Sequence, residues 1–87
     1  MSQRQKLFLR LLSGRHDQDF AFSDLQAVLS FASFTFRTRG DHFIYTRADV
    51  EEIINIQPRG NKAKPYQVKQ VREILLTYRI GGDEDEI

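Results

Sequence analysis

The sequence predicts an α+β fold: a small three-stranded antiparallel sheet packed against helices, in the order helix, helix, strand, strand, strand, helix. Three observations lead there. Apolar residues recur at helical spacing up to about Phe31, the pattern turns to alternation from Phe34, and helical spacing returns after Pro65. A chain of 87 residues has room for one domain of modest stability.

The first helix opens at Ser2, with Gln5 three residues on as its capping-box partner, and Leu7, Phe8, Leu11 and Leu12 form the apolar stripe. It should end near Ser13, with Gly14 as the C-terminal stop. Arg15 to Ala21 is polar and reads as a loop. Ser23 with Gln26 repeats the capping signature, and Leu25, Val28 and Leu29 mark a second helix running to about Phe31. Phe34 and Phe36 then alternate with Thr35 and are followed by Arg37 and Thr38, the pattern of a half-buried strand.

Arg39-Gly40-Asp41 makes the turn, and His42 to Thr46, rich in aromatic and β-branched types, is the second strand of a hairpin. Val50 to Ile56 fits a third strand with Ile54 and Ile56 inward or a short helix opened by Asp49; the isoleucines and Val50 favour the strand. Pro58 ends it, and Arg59 to Lys64 is a basic loop. Pro65 suits the first turn of a helix whose apolar face is Val68, Val71, Leu75 and Tyr78, with Lys69, Arg72 and Arg79 on the other side. Gly81-Gly82 is its expected stop. The expected organisation is one domain over residues 1–80 and an acidic, disordered tail over 81–87. One face of the sheet should be covered by helices and the other left available, an arrangement that resembles the double-stranded-RNA-binding architecture.

The formal net charge of +1 understates the positive character of the domain, because four of the twelve acids are residues 83–86. Residues 1–80 carry 13 basic and 8 acidic side chains, a net of +5, which fits a polyanionic partner as well as it fits a solvated surface. No cysteine is present, so neither a disulfide framework nor a thiolate metal site is available, and a reducing cytoplasm is the expected location. Two histidines 26 residues apart, without matching carboxylate spacing, form no ligand pattern, so neither a metal nor another cofactor is expected. Arg4, Lys6 and Arg10 interrupt the apolar positions of the first twelve residues, which argues against a signal peptide or a membrane span.

The segments Arg39-Gly40-Asp41-His42-Phe43-Ile44-Tyr45, Glu51 to Pro58 and Lys62 to Arg72 resemble a subgroup of HicA-type toxins, whose signature is Gly-Ser-His at the start of a strand, then a basic loop and an amphipathic C-terminal helix. The resemblance covers about half the chain; the N-terminal half matches only as a helix preceding a sheet. It implies an mRNA interferase held inactive in a hetero-oligomer with a HicB-type antitoxin, its motif histidine essential for cleavage. Gly40 fills the glycine of the motif and His42 the histidine, while Asp41 stands where the family has serine. A carboxylate there either favours the protonated imidazole or repels an incoming phosphate.

Histidine suits such chemistry because RNA carries its own nucleophile, so the enzyme must remove the 2′-hydroxyl proton and stabilise charge on phosphorus. The expected phosphate and RNA contacts are Arg39, Arg47, Arg59, Lys62, Lys64, Lys69 and Arg72, with Tyr45 stacking on a base or supplying a hydroxyl. Each has a plainer reading: Gly40 as a turn residue with positive φ, Tyr45 as cross-strand packing, the cations as solvated surface. His16 is a bystander. Three classes follow from the residues: a metal-independent endoribonuclease, a non-catalytic RNA-binding module, and a protein-interaction domain whose basic face docks an acidic partner.

Overall fold

The first helix begins where its cap sequence places it. A computed structural model describes residues 2–81. The Ser2 hydroxyl accepts the Gln5 backbone N–H at 3.0 Å, opening α1 (Gln3–Ser13), and Gly14 closes the helix in the left-handed region at φ +73°. Phe8 and Leu11 carry its buried face. The polar stretch that follows contains a single 3-10 turn at Asp17–Asp19.

The second helix, α2 (Phe22–Phe31), starts earlier than Ser23 would set it. Its N-cap is Ala21, which makes no side-chain cap bond; a backbone bridge instead joins Ala21 to Lys62, with Phe22 N–H donating to Asn61 C=O at 3.0 Å and Ala63 N–H to Phe20 C=O at 2.8 Å. Long-range pairing, which no local motif encodes, fixes the entry point. Phe22, Leu25, Val28, Leu29 and Phe31 are buried.

Three strands follow, β1 (Thr35–Arg39), β2 (His42–Arg47) and β3 (Val50–Ile56), antiparallel in the order β1-β2-β3. The stretch from Val50 is therefore a strand and not a helix. A two-residue turn at Gly40-Asp41 joins β1 to β2, with Gly40 at φ +63° and Arg39 opposite His42. Positive φ at the first turn position alone is the II′ pattern that glycine favours. The register places Phe36, Tyr45 and Ile54 on one face of the sheet and Arg37, Ile44 and Asn55 on the other. Tyr45, Ile54 and Ile56 are buried, so the first of these faces is the one that meets the helices.

The half-buried strand expected around Phe36 is corrected by the structure. Every residue of β1 is exposed, and the buried phenylalanine of that stretch is Phe34, which precedes the strand. The reason is position: β1 is an edge, and the helix that packs on the sheet most closely does so at β3.

The last helix, α3 (Pro65–Thr77), has Pro65 in its first turn and buries Gln67, Val68, Val71, Ile74 and Leu75. It ends before the expected Gly81-Gly82. Tyr78 is its C-cap, Arg79 takes φ +53°, and Ile80 returns its N–H to Leu75 C=O at 2.9 Å while burying its side chain. Gly82 and the acidic tail lie outside the described residues. The Gln67 amide closes the outer edge of β3: its Oε1 accepts the Gln57 N–H at 3.3 Å and its Nε2 donates to Asn55 C=O at 3.4 Å, in place of a neighbouring strand. Farther along the same edge the Tyr78 hydroxyl accepts the Glu51 N–H at 3.2 Å. No helix among the described residues is long and apolar enough to cross a membrane.

Candidate functional site at the hairpin tip

The tight hairpin sets Arg39 and His42 side by side on the uncovered face of the sheet. Together with Gly40, Ile44 and Asn55 they line a shallow, open concavity of about 470 Å³. The His42 side chain is 43% exposed, so its ring is reachable from solvent. Its Nδ1 lies 2.9 Å from Asn55 Oδ1. In the tautomer in which Nδ1 donates to that amide oxygen, the Nε2 lone pair is left to act as a base.

Asp41 is drawn away from that nitrogen. Gln57 Nε2 donates to Asp41 Oδ2 at 2.7 Å, and Lys64 Nζ donates to Gln57 Oε1 at 3.2 Å, so a chain of polar side chains from the basic loop reaches the turn. The Gln57 bond, more than any other influence, holds the Asp41 carboxyl below the usual carboxylate range, against the desolvation that opposes it. The other Asp41 oxygen stands 3.8 Å from His42 Nε2, beyond hydrogen-bond length. Asp41 is thus a charged neighbour of the imidazole, not its hydrogen-bond partner.

The remaining predicted residues divide sharply. Arg39 joins the site, and its guanidinium has no partner among the described residues. Lys64 belongs through Gln57. Tyr45 does not: it is 1% exposed, on the helix side of the sheet, its phenol pushed up by burial against the opposing bond from Gln26, so it cannot stack on a base. Arg47 is engaged elsewhere: its Nη1 donates to Ala32 C=O at 2.7 Å and its Nε pairs with Asp49 at 2.8 Å, tying the β2–β3 turn to the end of α2. Arg72 is the most fully engaged of them. It grips Asp17 with two parallel bonds of 2.9 Å and Leu11 C=O with a third of 3.2 Å, and its side chain is only 15% exposed.

Lys62 pairs with Asp19 of the 3-10 turn, and Lys69 lies exposed on α3 with Asp17 in its field. Arg59 is exposed at a tight turn closed by reciprocal backbone bonds with Lys62 of 2.8 and 3.1 Å.

Sequence reasoning missed Ile44, Asn55 and Gln57 at the site, and Arg37 on the face beside it. Arg37 lies two positions before Arg39 on the same strand and hence on the same face, a spacing that was available to be read. Asn55 left no such signal, since its approach to His42 depends on the register between β2 and β3. Among the described residues no group of three or more histidine and acidic side chains is placed to hold a metal ion. No protein-family model matches the chain, and neither a curated protein nor a solved structure matches it.

Proposed function

We propose that this chain is a metal-independent endoribonuclease that acts on mRNA in the cytoplasm, and that it is the toxin of a toxin-antitoxin pair held in check by a HicB-type partner. The observation that carries the reading is the pairing of His42 with Asn55 beside an unengaged arginine on an open face. Nε2 of His42 takes the 2′-hydroxyl proton, and the 2′-oxygen attacks the adjacent phosphorus. The P–O5′ bond breaks as the leaving oxygen takes a proton from solvent, leaving a 2′,3′-cyclic phosphate and a 5′-hydroxyl. Arg39, with Arg37 behind it, supplies positive charge to the phosphorane. The excess of basic side chains over residues 1–80 and the resemblance of the Gly40-Asp41-His42 segment to the HicA signature support the same reading.

The Asp41 carboxylate, 3.8 Å from His42 Nε2, favours a second reading, in which the same face binds RNA and does not cut it. One experiment separates the two. Purified protein is incubated with RNA in the presence of a chelator, and products are resolved by size and end chemistry. The nuclease reading expects cyclic-phosphate ends, with cleavage lowered on the order of 10² to 10⁴-fold by His42→Ala. Cutting by the alanine variant at the wild-type rate overturns it, and salt-sensitive binding with intact RNA selects the second reading. In cells, growth arrest on induction that is reversed by the adjacent gene is the expected sign of the toxin role.

A further inference from the structure

The two edges of the sheet are finished differently. Along β3, the Gln67 amide and the Tyr78 hydroxyl occupy the outward N–H of Glu51, C=O of Asn55 and N–H of Gln57. Because Asn55 and Gln57 point outward, Ile54 and Ile56 face β2, where their partners are Tyr45 and Phe43. That leaves His42, Ile44 and Thr46 to bond β1 through Arg39, Arg37 and Thr35. Phe36 and Thr38 therefore direct their N–H and C=O groups away from the sheet, and no side chain among the described residues covers them.

The side chains of β1 give this free edge a definite chemistry. On the helix side, Phe36 is 51% exposed; its ring lies 5.8 Å from the Phe43 ring and 5.0 Å from that of Tyr45, with one flank open to solvent. On the opposite side stand Arg37 and Arg39, neither with an ion-pair partner among the described residues. A strand added to β1 meets an apolar ring on one face and guanidinium groups on the other.

From this alternation we infer that β1 takes up an extended segment of a partner protein in which carboxylates alternate with apolar side chains, forming a fourth strand of the sheet. Main-chain bonds to Phe36 and Thr38 supply the attachment, an apolar residue packs beside Phe36, and the flanking carboxylates neutralise Arg37 and Arg39. Docking itself is independent of the nuclease reading. Its consequence rests on that reading: the added strand competes with RNA for the cations next to His42 and switches the site off.

The test uses isotope-labelled full-length protein and a blocked synthetic peptide alternating Glu with Val. Expected are binding that weakens with salt, slowed amide exchange at Phe36 and Thr38, and little change at Arg37, whose N–H is already paired. The double variant Arg37→Glu, Arg39→Glu should lose about tenfold or more in affinity for this peptide and gain affinity for one alternating Lys with Val. Thr38→Pro removes only an outward N–H and is compatible with an edge strand, so a spectrum showing it folded together with weakened peptide binding supports strand addition.

The inference is overturned by absence of peptide binding to the wild type, or by binding that leaves Phe36 and Thr38 exchange unchanged. It is equally overturned if a single-stranded RNA oligonucleotide, and not the peptide, protects those two amides. Should the proline variant fail to fold, the charge exchange and the protection pattern still decide. Because the peptide measurements involve no RNA, they stand or fall separately from cleavage.

Discussion

The cations at the hairpin tip and those at the junction of α3 with the 3-10 turn come from the same basic excess, yet they do opposite things. Arg72 is mostly buried and gives two bonds to Asp17 and a third to the end of α1; it is a fastener between elements. Arg37 and Arg39 stand on an exposed edge strand with no partner among the described residues. The lesson concerns desolvation. A guanidinium that has surrendered most of its water for protein acceptors has less to offer a phosphate than one still hydrated, which can exchange water and counterions for RNA.

The sharpest way to break this comparison is at the fastener. Replacing Arg72 with Ala, or Asp17 with Asn, leaves half of a largely buried pair uncompensated, so the unfolding free energy should fall by about 3 kcal/mol while the salt dependence of RNA binding stays as it was. Urea denaturation and filter binding check the two halves. The pair also fixes a direction with pH. Hydrogen bonding to Arg72, ahead of its charge, holds the Asp17 carboxyl below its usual 3.8 despite desolvation. The stability it contributes is present in full above that value and is lost as pH falls through the lower folded-state value, so the gap between wild type and Asp17→Asn should close on acidification below about pH 4. A gap constant down to the lowest pH would rule out the ion pair as its origin.

At the hairpin tip, Arg39→Ala should leave stability within about 0.5 kcal/mol of wild type and weaken RNA binding about tenfold, lowering the slope of log K against log salt by about one. An unchanged slope would place the phosphate elsewhere.

How much of this was legible in the sequence depended on range. The cap at Ser2, the stop at Gly14, Pro65 in the first turn of α3 and the strand at Val50–Ile56 are local signals, and all hold. The start of α2 did not, because a backbone bridge to Lys62 sets it. Alternation put Phe43 and Tyr45 on one face without saying which face the helices cover, so Tyr45 stayed open to two readings, a ring offered to a base or cross-strand packing. Arg72 was read as a free cation because its partner Asp17 lies 55 positions away. At the candidate site the motif drew attention to Gly40, Asp41 and His42, whereas Asn55 became visible only with the pairing of β2 and β3.

Asn55 offers a finer test. If its amide oxygen fixes the imidazole proton on Nδ1, Asn55→Ala should slow cleavage about tenfold with little change in RNA affinity, and nitrogen chemical shifts should report a mixture of His42 tautomers. A structural role alone would change stability and leave the tautomer ratio where it was.

The smallest effects discriminate between neighbours in the basic loop. Lys62 and Lys64 are two residues apart, but Lys62 pairs with Asp19, both side chains being more than half exposed, and Lys64 reaches the turn through Gln57. An exposed pair of that kind contributes little to stability. Lys62→Ala should therefore cost little stability and leave the RNA salt slope unchanged, while Lys64→Ala should lower the slope by about one with stability preserved. Equal slopes for the two single variants would mean that the loop acts as an undifferentiated cloud of charge. A loss confined to Lys64 would tie RNA to the face on which His42 stands.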